Sequence, residues 1–94
     1  MIKSWSDDAW IEYEYWQTQD KRTLKRINLL IKDIERGHSH GENPLNGIGE
    51  PEYLKGDLNG YMSRKINEKD RLVYAIRENN NLFISSCRGH YDDT

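Results

Sequence analysis

The 94-residue sequence contains one cysteine, two prolines and one phenylalanine, and it has no long hydrophobic run. The single cysteine, Cys87, cannot form a disulfide within the chain, and the first residues lack the charged-then-apolar pattern of a secretory signal. No apolar segment approaches the roughly 20 residues that a membrane-spanning helix requires. These absences predict a soluble protein of the cytoplasm with no membrane partner.

The composition favours one small folded domain. Hydrophobic residues make up 35% of the chain and charged residues 32%. A chain of this length holds a single core, because two separate cores would each be marginally stable. Three tryptophans and six tyrosines supply large apolar areas to that core. We expect one domain over residues 1–94, with residues 91–94 as a short C-terminal tail.

The net charge of −2 argues against an avid nonspecific nucleic-acid binder, but the charges are segregated along the chain. Residues 21–36 carry six basic residues against two acidic ones, and residues 55–90 carry seven against four. Residues 1–20 carry five acidic residues and one lysine. The basic second half can therefore meet an anionic partner.

The N-terminal segment predicts a strand followed by a helix. Residues 2–5 alternate in polarity, and Ser6 is a good helix N-cap. Trp10, Tyr13 and Trp16 recur at three-residue spacing, which predicts an aromatic stripe on the face of the helix that packs on the core.

A second helix is predicted from Asp20, which can cap it, to Gly37, which can end it. The two helices should form an antiparallel pair. Residues 37–51 contain four glycines and both prolines, which is typical of an irregular loop. His38 and His40 in this loop suggest a metal site, but neither Cys nor a further His lies nearby to complete it. We therefore expect no metal ligand there and an exposed loop instead.

After the loop the hydrophobic period changes to two, which is typical of β-strands. Short turn-forming segments separate the apolar stretches, so consecutive strands should pair as antiparallel hairpins. The expected fold is therefore α+β, with two N-terminal helices packed on a twisted, mainly antiparallel sheet. The predicted strands after the loop are 53–55, 60–66, 71–76 and 82–88.

Basic side chains are predicted to converge on this sheet. Alternation places Ser63 and Lys65 on one face of strand 60–66. The hairpins would then bring Lys65, Arg71 and Arg88 within reach of one phosphate-sized anion. The alternative, ordinary exposed charges at sheet edges, remains open from this pattern alone.

The remaining ingredients of acid–base chemistry lie near those cations. Cleaving RNA without a metal requires a base for the 2′-hydroxyl, a cation for the phosphorane and an acid for the departing 5′-oxygen. Glu52 at the end of the loop and His90 after the last strand can serve as base and acid, since histidine titrates near neutrality with a pKa of about 6.5. Tyr91 offers a ring on which an unstacked base can lie.

Three stretches of the sequence resemble the YoeB/Txe toxins of the RelE superfamily. They are "SWSDDAWIEYEYWQTQDKRTLKRINLLIKDIERG", "GIGEPEYLKGDLNGYMSRKINEKDRLVYAI" and "SSCRGHY", and together they span nearly the whole chain. The resemblance implies a RelE-like microbial RNase fold and a toxin that cleaves messenger RNA in the ribosomal A site. It also implies a cognate antitoxin as partner, a homodimer, and no cofactor.

The resemblance assigns a role to each candidate residue. It makes Glu52 the general base, His90 the general acid and Arg71 the group that stabilises the phosphorane, while Tyr91 orients and stacks on the substrate. The expected RNA-binding residues are Lys55, Arg64, Lys65 and Arg88. The basic face of the second helix would contact the ribosome through Lys21, Arg22, Lys25 and Arg26.

One departure from the family pattern bears on whether such a toxin cleaves RNA. Gly89 stands where the family has a bulkier residue, which predicts a looser segment before His90.

The alternative function is a protein of the same fold without nuclease activity, either a gyrase inhibitor or a degenerate toxin that only binds its antitoxin. A sequence-specific DNA-binding domain is a third and weaker possibility, because no helix-turn-helix pattern occurs.

Overall fold

Two α-helices precede most of a five-stranded sheet in the computed structural model, which describes residues 1–90. Neither helix in this part of the chain is long and apolar enough to cross a membrane. The elements are β1 (Ile2–Trp5), α1 (Asp7–Gln19), α2 (Lys21–Ser39), β2 (Glu52–Tyr53), a short 3-10 helix (Gly56–Leu58), β3 (Met62–Lys65), β4 (Arg71–Arg77) and β5 (Asn81–Ser86). The predicted tail, 91–94, lies outside the described residues.

Both helices begin at the caps that the sequence predicts. The Ser6 hydroxyl accepts a hydrogen bond from the Ala9 N–H at 3.0 Å. The Asp20 carboxylate accepts from the N–H groups of Arg22 and Thr23 at 3.1 and 3.2 Å. These bonds satisfy amides that a helix leaves without partners in its first turn, so the chain can reverse sharply at Asp20.

The prediction that Gly37 ends α2 is wrong. The helix continues to Ser39, and the first residue beyond it with a positive φ is Gly41, at +66°. Glycine is tolerated inside a helix at a cost of about 1 kcal/mol relative to alanine, so it does not by itself end one.

The sheet has the strand order β1-β5-β4-β3-β2. Strands β2 to β5 form antiparallel pairs, whereas β1 pairs in parallel with β5. With both helices packed on one face, this arrangement confirms the predicted fold class. Strand β5 contains a bulge, since Val73 of β4 is opposite Ser86 while the next residue of β4, Tyr74, is opposite Ile84. The extra residue reverses the alternation, so Cys87 rather than Ser86 turns into the core.

The core lies between α2 and the sheet. Its fully buried side chains include Ile27, Leu30, Leu72, Tyr74, Leu82 and Ile84. The prediction of an aromatic core stripe on α1 holds for Trp16 but is wrong for Trp10, which is 44% exposed. Two side chains that are six residues apart on an α-helix point in directions about 120° apart. Trp10 instead stacks on Tyr13 and meets Trp5 edge to face at the surface, each at a ring distance of 5.7 Å.

Candidate active site

A polar pocket of about 120 Å³ lies on the face of the sheet opposite the helices. Alternation along β3 produces this division, because Met62 and Arg64 point toward the helices while Ser63 and Lys65 point away. The strands also align the pocket residues across the sheet, with Lys65 opposite Arg71. The residues that line the pocket are Glu50, Glu52, Ser63, Lys65, Arg71 and His90.

Strand β2 brings the first carboxylate to the pocket. Glu52 lies directly opposite Ser63 in the antiparallel register, and the Ser63 hydroxyl donates to Glu52 Oε1 at 3.5 Å. The backbone two residues earlier is also unusual, because Glu50 has a φ of +52°. That conformation turns the Glu50 carboxylate toward Lys65 Nζ, at 3.0 Å. The ammonium group of the pocket lysine is therefore partly neutralised in this structure.

Arg71 is held by the turn that precedes it. Arg71 is only 9% exposed. Its Nη1 donates to the carbonyl oxygens of Asn67 at 2.7 Å and Asp70 at 3.2 Å. A guanidinium group has five N–H donors, so these two bonds leave it further capacity to bind an anion. The turn thus sets where the cation of the pocket points.

The segment that leads to His90 is fastened to α1. The Cys87 N–H donates to Glu12 Oε1 at 2.8 Å, and the Trp16 indole N–H donates to the Cys87 carbonyl at 2.9 Å. Burial raises the pKa of Glu12 above its ordinary value, although the bond from Cys87 and the charge of Arg88 oppose that shift. These contacts determine the path by which the chain leaves β5.

Gly89 does not loosen this segment, contrary to the prediction. Its N–H donates to Asp70 Oδ1 at 2.8 Å, and its carbonyl accepts from the Arg71 N–H at 3.0 Å. Its φ of +84° is a conformation that residues with a side chain rarely adopt. The glycine therefore allows a turn whose polar groups are bonded, and this turn directs His90 into the pocket.

Arg64 is not among the residues available to RNA, so its predicted role is wrong for this structure. It is 3% exposed and lies on the helix-facing side of β3. Its Nη1 donates to Asp33 Oδ2 at 2.6 Å, and its Nε donates to the Tyr74 hydroxyl at 3.0 Å. Burial alone would raise the pKa of Asp33, but hydrogen bonds, first among them that from Arg64, lower it below its ordinary value.

The buried guanidinium also holds the loop before Glu52. Arg64 donates to the carbonyl oxygens of Ile48 at 3.2 Å and Asn46 at 3.3 Å. A Cβ at Gly47 would meet Arg64 Nη1 at 2.8 Å, and the φ of Gly47 is +122°. Only glycine fits this close approach, so Gly47 allows the loop to pass against Arg64.

The other predicted basic residues lie outside the pocket lining. The Arg88 guanidinium lies 3.8 Å above the ring of Tyr15 on α1. Lys55 is exposed where the 3-10 helix begins. Along α2, Lys21, Arg22 and Lys25 are exposed, whereas Arg26 is half-buried and donates to the Lys65 carbonyl at 3.3 Å. Tyr91 lies outside the described residues.

The two loop histidines belong to the end of α2. His40 Nδ1 lies 2.8 Å from the Arg36 carbonyl, and His38 Nε2 lies 3.0 Å from Asn80 Oδ1. Within residues 1–90, His, Cys, Asp and Glu side chains do not gather in threes around any point that could hold a metal ion.

Three residues that shape the pocket were missed by sequence reasoning: Asp33, Glu50 and Asp70. The strand alternation could have revealed one of them, since a charged Arg64 on an apolar face requires a buried partner. Glu50 and Asp70 carry no such signal, because their contacts depend on a positive φ and on a turn meeting a distant segment.

Comparison with known proteins agrees with this architecture. Residues 5–91 match the family model described as the YoeB-like toxin of bacterial type II toxin-antitoxin systems. Toxin YoeB of Escherichia coli strain K12 is 48% identical over 87 residues, which are 93% of this chain and 95% of the relative. The YoeB/ParE toxin from Agrobacterium tumefaciens superposes with a TM-score of 0.86 at 39% identity, over 97% of this chain and all of that one.

A relative from Staphylococcus aureus, 43% identical, has been solved both as a YoeB dimer and in a heterotetrameric YoeB-YefM toxin-antitoxin complex. Each superposes with a TM-score of 0.84 over 97% of this chain and 98% of the relative. Fold and pocket therefore define a small bacterial toxin with helices on one sheet face and a polar pocket on the other. The chain belongs to the family of YoeB-like toxins of type II toxin–antitoxin systems.

Proposed function

We propose that the protein is a ribosome-dependent endoribonuclease that cleaves messenger RNA in the ribosomal A site without a metal. One observation carries this proposal: Glu52 and His90 line the same pocket as Lys65 and Arg71. Base, acid and cations thus surround a space the size of one sugar–phosphate linkage. Family membership supports it further.

Glu52 is the proposed general base. It removes the proton from the 2′-hydroxyl, and the resulting oxygen attacks the adjacent phosphorus. Its hydrogen bond with Ser63 and its place on β2 orient the carboxylate. A base on a paired strand is held more rigidly than a base on a free loop.

Arg71 and Lys65 stabilise the phosphorane, which carries more negative charge than the ground-state phosphate. Arg71 is the better suited of the two, because its guanidinium is nearly buried and fixed by carbonyl groups. His90 then protonates the departing 5′-oxygen. Tyr91 and the exposed Lys55 are proposed to contact the bases and backbone of the messenger on either side, and the exposed Arg88 extends the basic surface.

The ribosome is proposed to hold the messenger, which accounts for a toxin with a net charge of only −2. The exposed basic side chains of α2 are suited to contact ribosomal RNA, since phosphate contacts by Lys and Arg supply sequence-independent affinity. Such a protein acts in the cytoplasm, where translation occurs.

A cognate antitoxin and a second copy of the chain are the proposed protein partners. The S. aureus relative supports both by its solved complex and dimer. The exposed apolar side chains of Trp10 and Ile11 on α1, which line one groove together with Trp5 of β1, provide a surface that such partners could cover.

The test is a purified translation reaction with a defined messenger, analysed with and without ribosomes. The proposal predicts cleavage only with ribosomes and products that end in a 2′,3′-cyclic phosphate or a 3′-phosphate. His90→Ala and Glu52→Gln should abolish cleavage, whereas His40→Ala, a histidine outside the pocket, should not. Products with 3′-hydroxyl ends would refute the mechanism, and growth arrest by the double variant Glu52→Ala/His90→Ala would favour a protein that acts by binding alone.

A further inference from the structure

The carboxylate of Asp70 joins the β3–β4 turn to the segment that bears His90. The residue is 7% exposed, and its two oxygens have different partners. Oδ1 accepts from the Gly89 N–H at 2.8 Å, and Oδ2 accepts from Asn67 Nδ2 at 3.1 Å. A buried carboxylate that bridges two chain segments restrains both.

The same turn holds the cation of the pocket. Arg71 Nη1 donates to the carbonyl oxygens of Asn67 and Asp70, and the Arg71 N–H donates to the Gly89 carbonyl at 3.0 Å. The position of the guanidinium and the position of the residue before His90 are therefore set by one hydrogen-bonded unit. Among the hydrogen bonds of the described residues, the bond to Asp70 is the only one that joins a side chain of this unit to Gly89.

We infer that Asp70 is a positioning residue, which fixes the His90 imidazole relative to the Arg71 guanidinium. The inference deepens the proposed nuclease function and rests on it for its effect on rate. Gly89 at φ +84° has no side chain to restrain it, so the bond from its N–H to Asp70, together with the bond that its carbonyl accepts from Arg71, limits rotation of the chain before His90. Misplacement of a catalytic group by about 1 Å can lower a rate by roughly 100-fold.

An exchange of side chains provides the decisive variant. Asp70→Asn cannot satisfy both partners. If its oxygen faces Gly89, its NH₂ group meets the NH₂ group of Asn67, and if its oxygen faces Asn67, its NH₂ group meets the Gly89 N–H, so one of the two bonds is weakened or lost in either orientation. The double variant Asn67→Asp/Asp70→Asn restores both, because the new carboxylate at position 67 accepts from the new amide at position 70. The backbone N–H groups of Lys69 and Asp70, which now donate to Asn67 Oδ1, can donate to that carboxylate as well.

Two measurements are made on wild type, both variants and Glu78→Gln, a matched change in the exposed β4–β5 turn. The first is the single-turnover cleavage rate on programmed ribosomes, separated from the toxin concentration at half-maximal rate. We expect Asp70→Asn to lower the maximal rate by about 10- to 100-fold with little change in that concentration, and the exchange variant to recover it to within about threefold.

The second measurement does not depend on activity. The ¹⁵N heteronuclear NOE of the Gly89 and His90 amides should fall in Asp70→Asn and recover in the exchange variant, whereas Glu78→Gln leaves it unchanged. Unchanged order at these amides in Asp70→Asn, or failure of the exchange variant to restore both order and rate, would overturn the inference. A wild-type protein that cleaves no messenger refutes the proposed function, and the NMR comparison still decides whether Asp70 positions His90.

Discussion

Asp33 and Arg64 form an ion pair between α2 and β3, with 2.6 Å between Oδ2 and Nη1. The arginine side chain is 4% exposed and the aspartate side chain 15%. Asp33 also accepts from the Ile48 N–H at 3.1 Å, so the pair holds the loop that leads to Glu52. A buried charge pair of the core thus determines where the candidate base lies.

Removing one member of this pair should destabilise the protein strongly. Arg64→Ala leaves Asp33 and two loop carbonyls without a buried donor, so the free energy of unfolding should fall by about 3–5 kcal/mol in urea titrations. Arg36→Ala is the matched control, because Arg36 also binds Asp33, at 3.1 Å, but its side chain is 49% exposed. Its loss should cost much less, because an exposed ion pair contributes little to stability. Equal losses for the two variants would contradict a structural role that is specific to Arg64.

Glu50 is expected to oppose substrate binding. Its carboxylate lies 3.0 Å from Lys65 Nζ in the pocket, where an anionic messenger would compete with it. Glu50→Gln should lower the toxin concentration at half-maximal cleavage by about two- to fivefold, in line with the modest strength of exposed ion pairs. Glu42→Gln, an exposed glutamate paired with Arg36 outside the pocket, should have no such effect. Weaker binding by the Glu50 variant would show that the carboxylate assists the site instead.

Glu12 should make stability depend on pH in the direction opposite to a typical carboxylate. Burial raises its pKa above the ordinary value of 4.5, so the folded state binds the proton more tightly than the unfolded state. Its contribution is therefore present below pH 4.5 and is lost as the pH rises through the higher pKa of the folded state. Glu12→Gln, which can still accept from Cys87, should remove this decline when unfolding free energies are compared between wild type and variant from pH 4 to 7. An identical pH dependence of the two proteins would contradict the assignment.

Cys87 should be inert while the protein is folded. Burial raises the pKa of its thiol to about 12, and the side chain is fully covered. The thiolate is the reactive form, and at pH 8 it would be roughly one part in ten thousand. Labelling by a thiol reagent should therefore be slow in buffer and rapid in urea. Rapid labelling of the folded protein would show that the segment before His90 opens readily.

The parts of the fold that depend on local chemistry were predictable from the sequence. Ser6 and Asp20 cap their helices because their oxygens reach N–H groups two or three residues away. The alternation of β3 likewise predicted that Ser63 and Lys65 share a face. Family resemblance then indicated Glu52, Arg71 and His90, which the structure gathers around one pocket.

Contacts between distant segments were not predictable in the same way. The Arg64 partner Asp33 lies 31 residues away, and Asp70 meets a backbone N–H 19 residues away. The bulge in β5 reverses the side-chain alternation and leaves no mark that strand periodicity detects. The contact of Arg88 with Tyr15 joins residues far apart in the chain, and it leaves no such mark either. The basic residues therefore appeared equivalent in the sequence, although Arg64 is buried and Arg88 lies against Tyr15 of α1.

In the proposed mechanism, His90 protonates the departing 5′-oxygen across the pocket from Glu52. The most direct test measures single-turnover cleavage of a messenger whose scissile 5′-oxygen is replaced by sulfur, because a thiolate leaves without needing a proton. With His90 as general acid, His90→Ala should be severely impaired on the normal messenger but cleave the sulfur-containing messenger at close to the wild-type rate, while Glu52→Gln remains impaired on both. If His90→Ala were equally impaired on the two messengers, histidine would not be the general acid.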